Sequence, residues 1–597
     1  NIRNQEKSMH KLFADPSILD DAFRETMPLP DKTMADLFFE AAAARPDSPA
    51  IRFMDACITF SELSKRITTC KDALEALDVR QGTVISLCLP NIPEAVVLFY
   101  AINQLGAICN MIHPLAPPAG VIHHVQKTNS KVLFIPDLFL ERLAKPLDEA
   151  LDETPLKKIV VIPLMASANR LPRWLYQIAK GRTVKRHMPS GTRWITWSNL
   201  LRSARPNVNE RRSSQDHNVA PQDNVETADR VSVYLHSGGT TGKSKVIELT
   251  DRNFNAIACQ IVFAIGIPPG SDYPTGHSMI TVLPLFHGFG LCIGMHSMLA
   301  NACCCILVPR FSTKTIAGII RKYCPTLMAG VPTLYEALLN ADEMKNIDLS
   351  CFSAFFCGGD SLSPDLKKRF DSFLKGHGSD CRLREGYGLT ETVTVCSLTH
   401  EVSADRSGIG VPLTNMEMKI IDPETRETLP DGETGEICVT GPQTMKGYLN
   451  DPESTRKALV RHDDGKIWVE TGDLGYRDPD GFYHFRGRIK RMIKVSGIPV
   501  FPAEIEALIS ELPDVLQVAV IGIPHPYKMQ VVKAFVRGRE GCDREALEEA
   551  IRTVVGIRLL RYAVPKEIEF VDRFPLTNIG KIDTMALEKQ ELEKQEE

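Results

Sequence analysis

The chain has 597 residues, a formal net charge of −4, 43% hydrophobic residues and 24% charged residues. This length excludes a single ordinary hydrophobic core and predicts a large domain followed by a smaller one. The charge balance argues against a general nucleic-acid binder, and no apolar run reaches the ~18 residues that a membrane-spanning helix needs.

The sixteen cysteines are scattered and lack paired CxxC spacing. Buried, reduced thiols are therefore expected rather than disulfides or zinc ligands. No signal-peptide pattern is seen, so the sequence predicts a cytoplasmic protein.

The first part of the chain alternates helical and strand-like segments. A helix is predicted at Met34–Ala44, and buried strands are predicted at Thr83–Leu89, Lys131–Ile135 and Lys158–Ile162. This alternation is typical of an α/β architecture. The polar stretch 203–230 predicts a surface loop.

Residues 170–194 are basic, contain no acid and carry aromatic and aliphatic side chains between the charges. Such a segment fits an anionic membrane surface, which would make the protein membrane-associated. The alternative is a solvated basic loop whose tryptophans pack on the large domain.

A change of character near Arg488–Lys490 predicts a domain boundary, with domains at 1–488 and 489–597. Beyond it, the sequence predicts a compact α+β unit. Its expected elements are a helix at Ala503–Leu512 and strands at Val515–Ile523, Val531–Val536 and Glu567–Val571.

A strand-like run from Val231 leads into Ser237-Gly-Gly-Thr-Thr-Gly-Lys-Ser-Lys245, a loop of glycines, hydroxyls and lysines. Glycines let the backbone approach anionic oxygens, and hydroxyl and ammonium groups donate to them, so the loop predicts polyphosphate binding. The spacing nearly matches the P-loop pattern GxxxxGK[ST], except that Ser237 stands where the first glycine belongs.

Four later segments decide between a P-loop NTPase and another nucleotide enzyme, because a P-loop NTPase explains none of them. They are Arg384-Glu-Gly-Tyr-Gly-Leu-Thr-Glu391, Thr471-Gly-Asp473, Gly487–Gly497 running on to Phe501–Glu506, and Pro575-Leu-Thr-Asn-Ile-Gly-Lys581. With the loop at Ser237–Lys245, where Ser244 replaces a usual proline, they resemble the adenylate-forming (ANL) superfamily of acyl-CoA synthetases. The resemblance covers most of the chain, from about Thr33 to Ala586.

This resemblance implies a large N-terminal α/β domain of several subdomains and a smaller, mobile α+β C-terminal domain. It implies ATP, Mg²⁺ and coenzyme A, and a carboxylic acid activated as an acyl-adenylate that leaves AMP. By the same resemblance the phosphates are bound by Ser237, Gly238, Gly239, Thr240, Thr241, Gly242 and Lys245, with Thr241 also a candidate metal ligand.

The resemblance also assigns the nucleoside end. Tyr387 and Gly388 would border the adenine, Thr390 would donate to the α-phosphate, and Glu391 would bind Mg²⁺, for which a carboxylate is suited. Gly358, Gly359 and Asp360 resemble the turn between adenine and acyl tunnel, although a simple turn or cap role remains open for Asp360.

Asp473 would accept from both ribose hydroxyls, and Arg488 would reach the ribose or the phosphates. Lys581 resembles the lysine that catalyses adenylation, although Ile579 and Asp583 depart from the usual residues around it. Lys490 matches the hinge of the mobile domain, and Gly497 matches the point where the pantetheine thiol passes.

For the acid substrate, Pro284-Leu-Phe-His-Gly-Phe-Gly290 resembles the segment that borders the carboxylate in fatty-acyl and aryl-acyl ligases. His287 would then be a gate or carboxylate contact, unless it is a buried structural histidine. No aspartate for an amino-acid ammonium is evident there, so a medium- or long-chain fatty acid is favoured. Leu291–Leu299 and Met328–Pro332 are apolar enough to line a tunnel, but core packing would look the same.

Relatives that stop at the adenylate, or pass it to carrier proteins, often carry an insertion near the hinge. This chain runs through Gly487–Glu506 without one, so the resemblance favours CoA as the acceptor over the main alternative, a carrier-protein thiol. A further alternative is a non-catalytic acyl-nucleotide binder, suggested by the departures at Ser244, Ile579 and Asp583.

Overall fold

The computed structural model describes residues 27–169, 188–189, 191–204, 227–237, 244–264, 276–400, 403–496, 498–525, 527–576 and 582–596. Within these residues the strands form four sheets. Two are mainly parallel, and two are mainly antiparallel.

The first sheet has nine strands in the order β16-β15-β14-β13-β12-β10-β11-β1-β2. Its strands are β1 Pro49–Phe53, β2 Ala56–Thr59, β10 Ser278–Thr281, β11 Cys304–Leu307, β12 Leu327–Gly330, β13 Ala354–Cys357, β14 Leu383–Gly388, β15 Val395–Leu398 and β16 Val411–Pro412.

The second sheet has eight strands in the order β19-β9-β8-β4-β3-β5-β6-β7. Its strands are β3 Val84–Leu87, β4 Ile108–Met111, β5 Val132–Pro136, β6 Lys158–Ile162, β7 Trp194–Thr196, β8 Val231–His236, β9 Val246–Thr250 and β19 Gly447–Tyr448. Strands β3, β4 and β5 are buried along their whole length, as expected for parallel strands covered on both faces.

The third and fourth sheets have five strands each. The third contains β17 Glu417–Ile421, β18 Gly435–Thr440, β20 Leu459–Arg461, β21 Ile467–Arg477 and β22 Tyr483–Arg488. The fourth contains β23 Ile493–Val495, β24 Ile498–Val500, β25 Val515–His525, β26 Met529–Gly538 and β27 Glu567–Phe570.

Helices surround these sheets. They are α1 Met34–Ala44, α2 Phe60–Glu75, α3 Pro93–Gln104, α4 Pro118–Lys127, α5 Leu140–Glu149, α6 Trp197–Ser203, α7 Asp251–Ala264, α8 Ser297–Ala300, α9 Thr313–Tyr323, α10 Pro332–Leu339, α11 Pro364–Gly376, α12 Pro452–Ala458, α13 Pro502–Ser510, α14 Arg544–Arg558 and α15 Thr584–Glu596. A π-helix occupies Phe289–His296 and runs directly into α8. No described helix is long and apolar enough to cross a membrane.

Several predicted elements are confirmed. Helix α1 has the predicted bounds because Thr33 and Asp36 form a reciprocal capping box at its start. Strand β6 also has the predicted bounds. Helix α13 ends two residues before the predicted Leu512, because Pro513 follows and disfavours a helical conformation at the residue before it.

Strand β26 is longer than the predicted Val531–Val536. Its polar ends pair with β25, from Met529 opposite His525 to Gly538 opposite Val515, so partner pairing extends the strand beyond its apolar run. In the basic stretch 170–194, Trp194 is buried and its Nε1 donates to Asp148 at 2.9 Å. Residues 170–187 and 190 lie outside the described residues.

The body is the set of described residues from 27 to 488, which carries the first three sheets, and the terminal unit is the set from 489 to 596, which carries the fourth. The largest apolar core lies in the body and joins its first two sheets, while the terminal unit has its own core around Ile505, Val520 and Ile551.

Candidate active site

The carboxyl ends of four adjacent strands gather candidate residues on one edge of the first sheet. Strands β10, β12, β13 and β14 are parallel neighbours in this sheet. The segments that follow them are 284–290, 331–332, 358–360 and 389–392. Such an edge is where open α/β sheets bind ligands.

Glycines allow these segments to touch. A Cβ on Gly288 would overlap the carbonyl oxygen of Val393, so the His287 segment lies directly against the turn that contains Glu391. A Cβ on Gly358 would come within 3.0 Å of the carbonyl oxygen of Gly386. Side chains larger than hydrogen would separate the segments.

His287 lies two residues before the π-helix Phe289–His296. Its Nδ1 accepts from the backbone N–H of Phe289 at 3.3 Å, and its carbonyl oxygen accepts from the N–H of Leu291 at 2.9 Å. π-helical turns occur frequently at functional sites. Leu291–Leu299 is buried, and so is β12, which covers Met328–Gly330 of the second apolar segment. Burial is expected both for the wall of an acyl tunnel and for a hydrophobic core, so it does not decide between them.

The turn after β13 is tight. Gly359 has φ +78°, and the Asp360 carboxylate accepts from the N–H of Ser361 at 3.0 Å. Nearby, Glu385 accepts from the N–H of Leu362 at 3.3 Å, and burial raises the pKa of Glu385 to about 8. The Asp360 contact is of the turn-capping kind that the sequence left open.

Tyr387, Asp473 and Arg488 form one cluster. The Tyr387 hydroxyl donates to Asp473 Oδ2 at 2.8 Å, and Arg488 Nε lies 3.2 Å from Asp473 Oδ1. Asp473 and Arg488 are cross-strand partners in β21 and β22. Burial, with Asp473 as the next contributor, raises the pKa of Tyr387 well above its usual value, so its hydroxyl stays protonated.

The second sheet carries both ends of the candidate phosphate loop. Its base is described: the N–H of Ser237 donates to Lys245 O at 3.0 Å, and the N–H of Lys245 donates to Ser237 Oγ at 3.0 Å. Lys127 of α4 also donates to Ser244 O at 2.5 Å. Gly238, Gly239, Thr240, Thr241 and Gly242, to which the sequence assigned phosphate and metal contacts, lie outside the described residues.

A histidine pair lies next to Ser237, at the end of β8. His236 Nε2 is 2.7 Å from Asn110 Oδ1, and the His236 and His124 ring centroids are 3.9 Å apart. Burial lowers the pKa of His124 to about 4 and holds that of His236 well below its usual value, with neighbouring positive charges acting in the same direction. Both rings are therefore neutral near pH 7.

The two sheets meet through side chains. His113, which follows β4, lies against Phe286, which follows β10, with ring centroids 4.2 Å apart. Farther along, Lys245 Nζ lies 4.5 Å from the centroid of the Tyr448 ring, and the Tyr448 hydroxyl donates to Glu391 Oε1 at 2.7 Å. The phosphate loop and the Glu391 turn thus share one contact residue.

Tyr448 is a site residue that sequence reasoning missed. It lies in β19, Gly447–Tyr448, which pairs with β9 immediately after the phosphate loop. The contact to Glu391 spans 57 residues, so no local pattern predicts it.

The remaining candidates lie beyond β22. Lys490 is in the single turn Ile489–Arg491, which joins the body to the terminal unit. Gly497 and Lys581 lie outside the described residues. Next to Gly497, Ser496 has φ +52° and its N–H donates to Lys528 O at 2.8 Å.

Two mainly parallel sheets that bring Lys245 and the Glu391 turn together at Tyr448 form the architecture of an adenylate-forming enzyme. The family model described as "AMP-binding enzyme" matches residues 38–449, and the model described as "AMP-binding enzyme C-terminal domain" matches residues 504–581. The chain therefore belongs to the AMP-binding enzyme family, whose members are acid–thiol ligases that use ATP and CoA.

Curated relatives extend over nearly the whole chain. It is 29% identical to a long-chain-fatty-acid–CoA ligase of Bacillus subtilis, over 95% of this chain and 96% of that protein. It is also 29% identical to the peroxisomal OPC-8:0-CoA ligase 1 of Arabidopsis thaliana, over 94% of each chain.

Solved structures agree with the fold. The anthranilate CoA ligase AuaEII in complex with anthranoyl-AMP superposes with a TM-score of 0.78 at 22% identity, over 96% of this chain and 99% of that one. ATP-bound MatB from Rhodopseudomonas palustris superposes with a TM-score of 0.72 at 23% identity, over 93% and 98%.

Proposed function

We propose that the protein is an ATP- and Mg²⁺-dependent ligase that joins a medium- or long-chain fatty acid to coenzyme A. The observation that carries this proposal is the bridge from Lys245 through Tyr448 to Glu391, in which one side chain contacts both the residue assigned to the phosphates and the residue assigned to the metal. The names of the curated relatives in Bacillus subtilis and Escherichia coli support a long-chain fatty acid.

A carboxylate does not acylate a thiol directly, because its oxide is a poor leaving group. In the proposed first step, a carboxylate oxygen attacks the α-phosphorus of ATP and pyrophosphate leaves. In the second, the CoA sulfur attacks the acyl carbon, the thiol proton is lost to solvent, and AMP leaves. Catalysis of the first step rests on positioning and on neutralising phosphate charge.

Phosphate binding is assigned to the loop from Ser237 to Lys245. Lys245 contributes a cation whose position the Tyr448 ring favours. The neutral His236 and His124 next to Ser237 add no charge to the ATP site at pH 7. Thr390 is assigned as the α-phosphate donor.

The site fits a magnesium ion. Glu391 offers a carboxylate, the hard oxygen ligand that Mg²⁺ prefers. The turn is fixed because the N–H of Met445 donates to the backbone carbonyl oxygen of Glu391 at 2.8 Å. Glu391 and Thr241 would hold the ion, which when bound would neutralise charge on the phosphates.

The nucleoside is assigned to the cluster beyond β14 and β21. The ribose hydroxyls would donate to Asp473, which Tyr387 and Arg488 hold in place. The adenine would lie between Tyr387 and the turn Gly358–Asp360, where the glycines leave space because they have no side chain. His287 would contact the acid carboxylate from the other side of the Glu391 turn.

The proposal divides the chain at 488/489 and gives the two half-reactions to different positions of the small domain. Lys581 serves adenylation, Lys490 is the hinge, and Gly497 gives the thiol its passage. The fact that the fourth sheet contains only strands that follow residue 492 supports this division. So does the single turn Ile489–Arg491 between the third and fourth sheets.

The experiment is acid-dependent pyrophosphate release from ATP, measured across fatty, aromatic and amino acids with and without CoA. We expect release with fatty acids, formation of acyl-CoA only when CoA is present, and loss of release in Lys581→Ala. Lys589→Ala is the matched control, since Lys589 is an exposed lysine of α15 paired with Glu593 at 3.7 Å.

Other outcomes have distinct meanings. Pyrophosphate release without a thioester would replace CoA by a carrier-protein thiol. Binding of ATP without any release would indicate a non-catalytic acyl-nucleotide binder and end the proposal.

A further inference from the structure

Tyr448 occupies a place between two loops that the proposed function uses. Its side chain is 8% exposed. The hydroxyl donates to Glu391 Oε1 at 2.7 Å, while the face of the ring receives the ammonium of Lys245 at 4.5 Å. A single side chain therefore contacts the last residue of the phosphate loop and the candidate metal ligand.

The backbone holds Tyr448 firmly. Strand β19 pairs with β9 so that Tyr448 faces Ile247, two residues after Lys245. The N–H of Tyr448 donates to Thr455 Oγ1 at 2.9 Å, and Leu449 N–H donates to Val246 O at 2.9 Å. The tyrosine is fixed on the same strand pair that ends the phosphate loop.

We propose that Tyr448 is a positioning residue for adenylation, and this rests on the function proposed above for Glu391 and Lys245. A hydroxyl that donates to a carboxylate makes a charge-assisted hydrogen bond, which holds Glu391 in one rotamer. The ring attracts the Lys245 ammonium and limits the space that this flexible side chain samples. Tyr448 thereby sets the distance between the cation for the phosphates and the ligand for the metal.

A tyrosine that only fills space would behave differently on loss of its hydroxyl. Tyr448→Phe keeps the ring, its volume and the Lys245 contact, and removes only the hydrogen bond to Glu391. Tyr335→Phe is the matched control, because the Tyr335 hydroxyl donates to the carbonyl oxygen of Phe356 at 2.6 Å in the core and contacts neither loop.

The test is a double-mutant cycle with Glu391→Gln. Two quantities are measured: the rate of ATP–pyrophosphate exchange as a function of Mg²⁺, and the affinity for MgATP by titration calorimetry without acid. Tyr448→Phe is expected to raise the Mg²⁺ concentration at half-saturation and to slow exchange by roughly tenfold, the effect of losing one hydrogen bond to a charged group. In the Glu391→Gln background the same change should have little further effect, because interacting residues are non-additive.

The outcomes separate the two proposals. If Glu391→Gln leaves the Mg²⁺ dependence of exchange unchanged, the metal role of Glu391 is wrong. If Glu391→Gln acts as expected while Tyr448→Phe matches Tyr335→Phe, or if the two site variants are strictly additive, only the positioning role of Tyr448 is overturned.

A second inference comes from the opposite edge of the first sheet. Strands β12 and β13 pair in register with Leu327 opposite Ala354. The pairing continues outward, since Ser353 N–H donates to Thr326 O at 2.7 Å. Cys324 lies two residues before Thr326, and Cys351 lies two residues before Ser353. The two cysteines therefore occupy equivalent positions before the two strands.

Cys324 acts on the ionisation of Cys351 through its charge and through a side-chain hydrogen bond, so the two side chains are neighbours. Cys324 is exposed and Cys351 is half-buried. Neighbouring strands are about 4.8 Å apart, a spacing within the range that a disulfide spans between Cα atoms. Burial raises the pKa of Cys351 to about 11, so the exposed Cys324 is the thiol that meets an oxidant first.

We infer that Cys324 and Cys351 form a reversible disulfide with each other by exchange with a small-molecule disulfide such as glutathione disulfide. The Cys324 thiolate attacks the oxidant, its S–S bond breaks, and one glutathione thiol leaves. Cys351 then loses its proton and attacks the mixed disulfide, which forms the protein S–S bond and releases the second glutathione. The oxidant gains two electrons, and the two cysteines lose two.

The test treats the full chain with glutathione disulfide and maps peptides without reduction. We expect a cross-linked peptide that joins Cys324 to Cys351, its complete loss in Cys324→Ser, and one glutathione trapped on Cys324 in Cys351→Ser. Cys57→Ser, which removes another exposed cysteine, should leave the cross-link intact. Glutathione held on Cys324 in the unaltered protein, or a cross-link from Cys351 to Cys381 instead, would overturn the inference.

Discussion

The body and the terminal unit bury different titratable groups. The body buries neutral histidines: burial lowers the pKa of His296 to about 3 and, together with Arg384, that of His400 to about 3. The terminal unit holds an ion network, in which the buried Lys533 Nζ lies 2.6 Å from Glu591 and 2.9 Å from Glu569. The body also has buried ion pairs, such as Arg230 with Asp251 at 2.7 Å, so its buried neutral histidines are what distinguish it.

The surfaces differ as well. The terminal unit exposes several large apolar side chains, among them Tyr527 (93% exposed), Met529 and Leu560. The much longer body exposes fewer of them in its described residues, among them Leu115 and Ile467. For its size, the terminal unit therefore has more apolar surface available for contacts.

The largest expected effect is acid lability of the body. A histidine whose pKa is lowered by folding binds fewer protons in the folded chain, so the free energy of unfolding is unaffected above about pH 6.5 and falls as pH drops toward the folded pKa. At pH 5, His296 and His400 should each cost about 2 kcal/mol. All four tryptophans precede residue 488, so their fluorescence reports unfolding of the body.

In the terminal unit, carboxylates decide how the free energy of unfolding changes with pH. Burial opposes ionisation of Glu569 and Glu591, but hydrogen bonds and ion pairs with Lys533 outweigh it and lower both pKa values. Their contribution is therefore present above about pH 4.5 and is lost only below it.

His400→Gln should flatten the decline of body stability between pH 6.5 and 5; an unchanged decline would contradict the histidine explanation.

The next effect concerns the contact between the His287 segment and the Glu391 turn. In Gly288→Ala the new methyl group would overlap the carbonyl oxygen of Val393, so one segment must shift. Because a small displacement of reacting groups costs about 100-fold in rate, we expect pyrophosphate exchange to fall by roughly that factor.

Gly318→Ala is the matched control, since Gly318 is in helix α9 with open space around its Cα. That change should leave exchange unaltered and stabilise the helix by up to about 1 kcal/mol. Equal activity of the two alanine variants would show that the contact at Gly288 does not position the site.

A third, smaller effect tests the ion network. Lys533→Met removes the buried cation that Glu591 and Glu569 share and leaves them only the exposed Lys594. It should destabilise the terminal unit by about 2 kcal/mol, between the values for surface and fully buried ion pairs. Amide hydrogen exchange in β26 measures this locally. Lys589→Met, which removes only an exposed ion pair with Glu593, should change protection by less than about 0.5 kcal/mol. Similar protection in both variants would mean that the network adds no stability.

The sequence predicted the elements whose residues signal their own structure. Thr33 and Asp36 mark the start of α1, and the apolar run Lys158–Ile162 marks β6. The ANL-like segments correctly predicted membership of the AMP-binding family. Those signals are local, so each is readable without the rest of the chain.

What the sequence missed depends on long-range geometry. Tyr448 reaches Glu391 across 57 residues, and the pairing of β19 with β9 that brings it there has no local signature. The π-helix Phe289–His296 is apolar on all sides, so periodicity cannot distinguish it from an α-helix or a strand. The roles of the site residues, including Lys581 and Gly497, stay predictions.

The smallest expected effect concerns the apolar surface of the terminal unit. Tyr527 is 93% exposed, so Tyr527→Ser removes almost no buried area and should change the unfolding free energy by less than about 0.5 kcal/mol. Phe535→Ala, in the buried core of the same sheet, should cost about 3–5 kcal/mol and serves as the contrast. If Tyr527→Ser instead lowers stability by as much as a core change, the side chain is covered in solution and the contrast between the two regions is smaller than the structure indicates. If stability is unchanged but thioester formation slows while pyrophosphate exchange does not, the exposed surface makes its contact only in the second half-reaction, and the leftover apolar area of the terminal unit has a function.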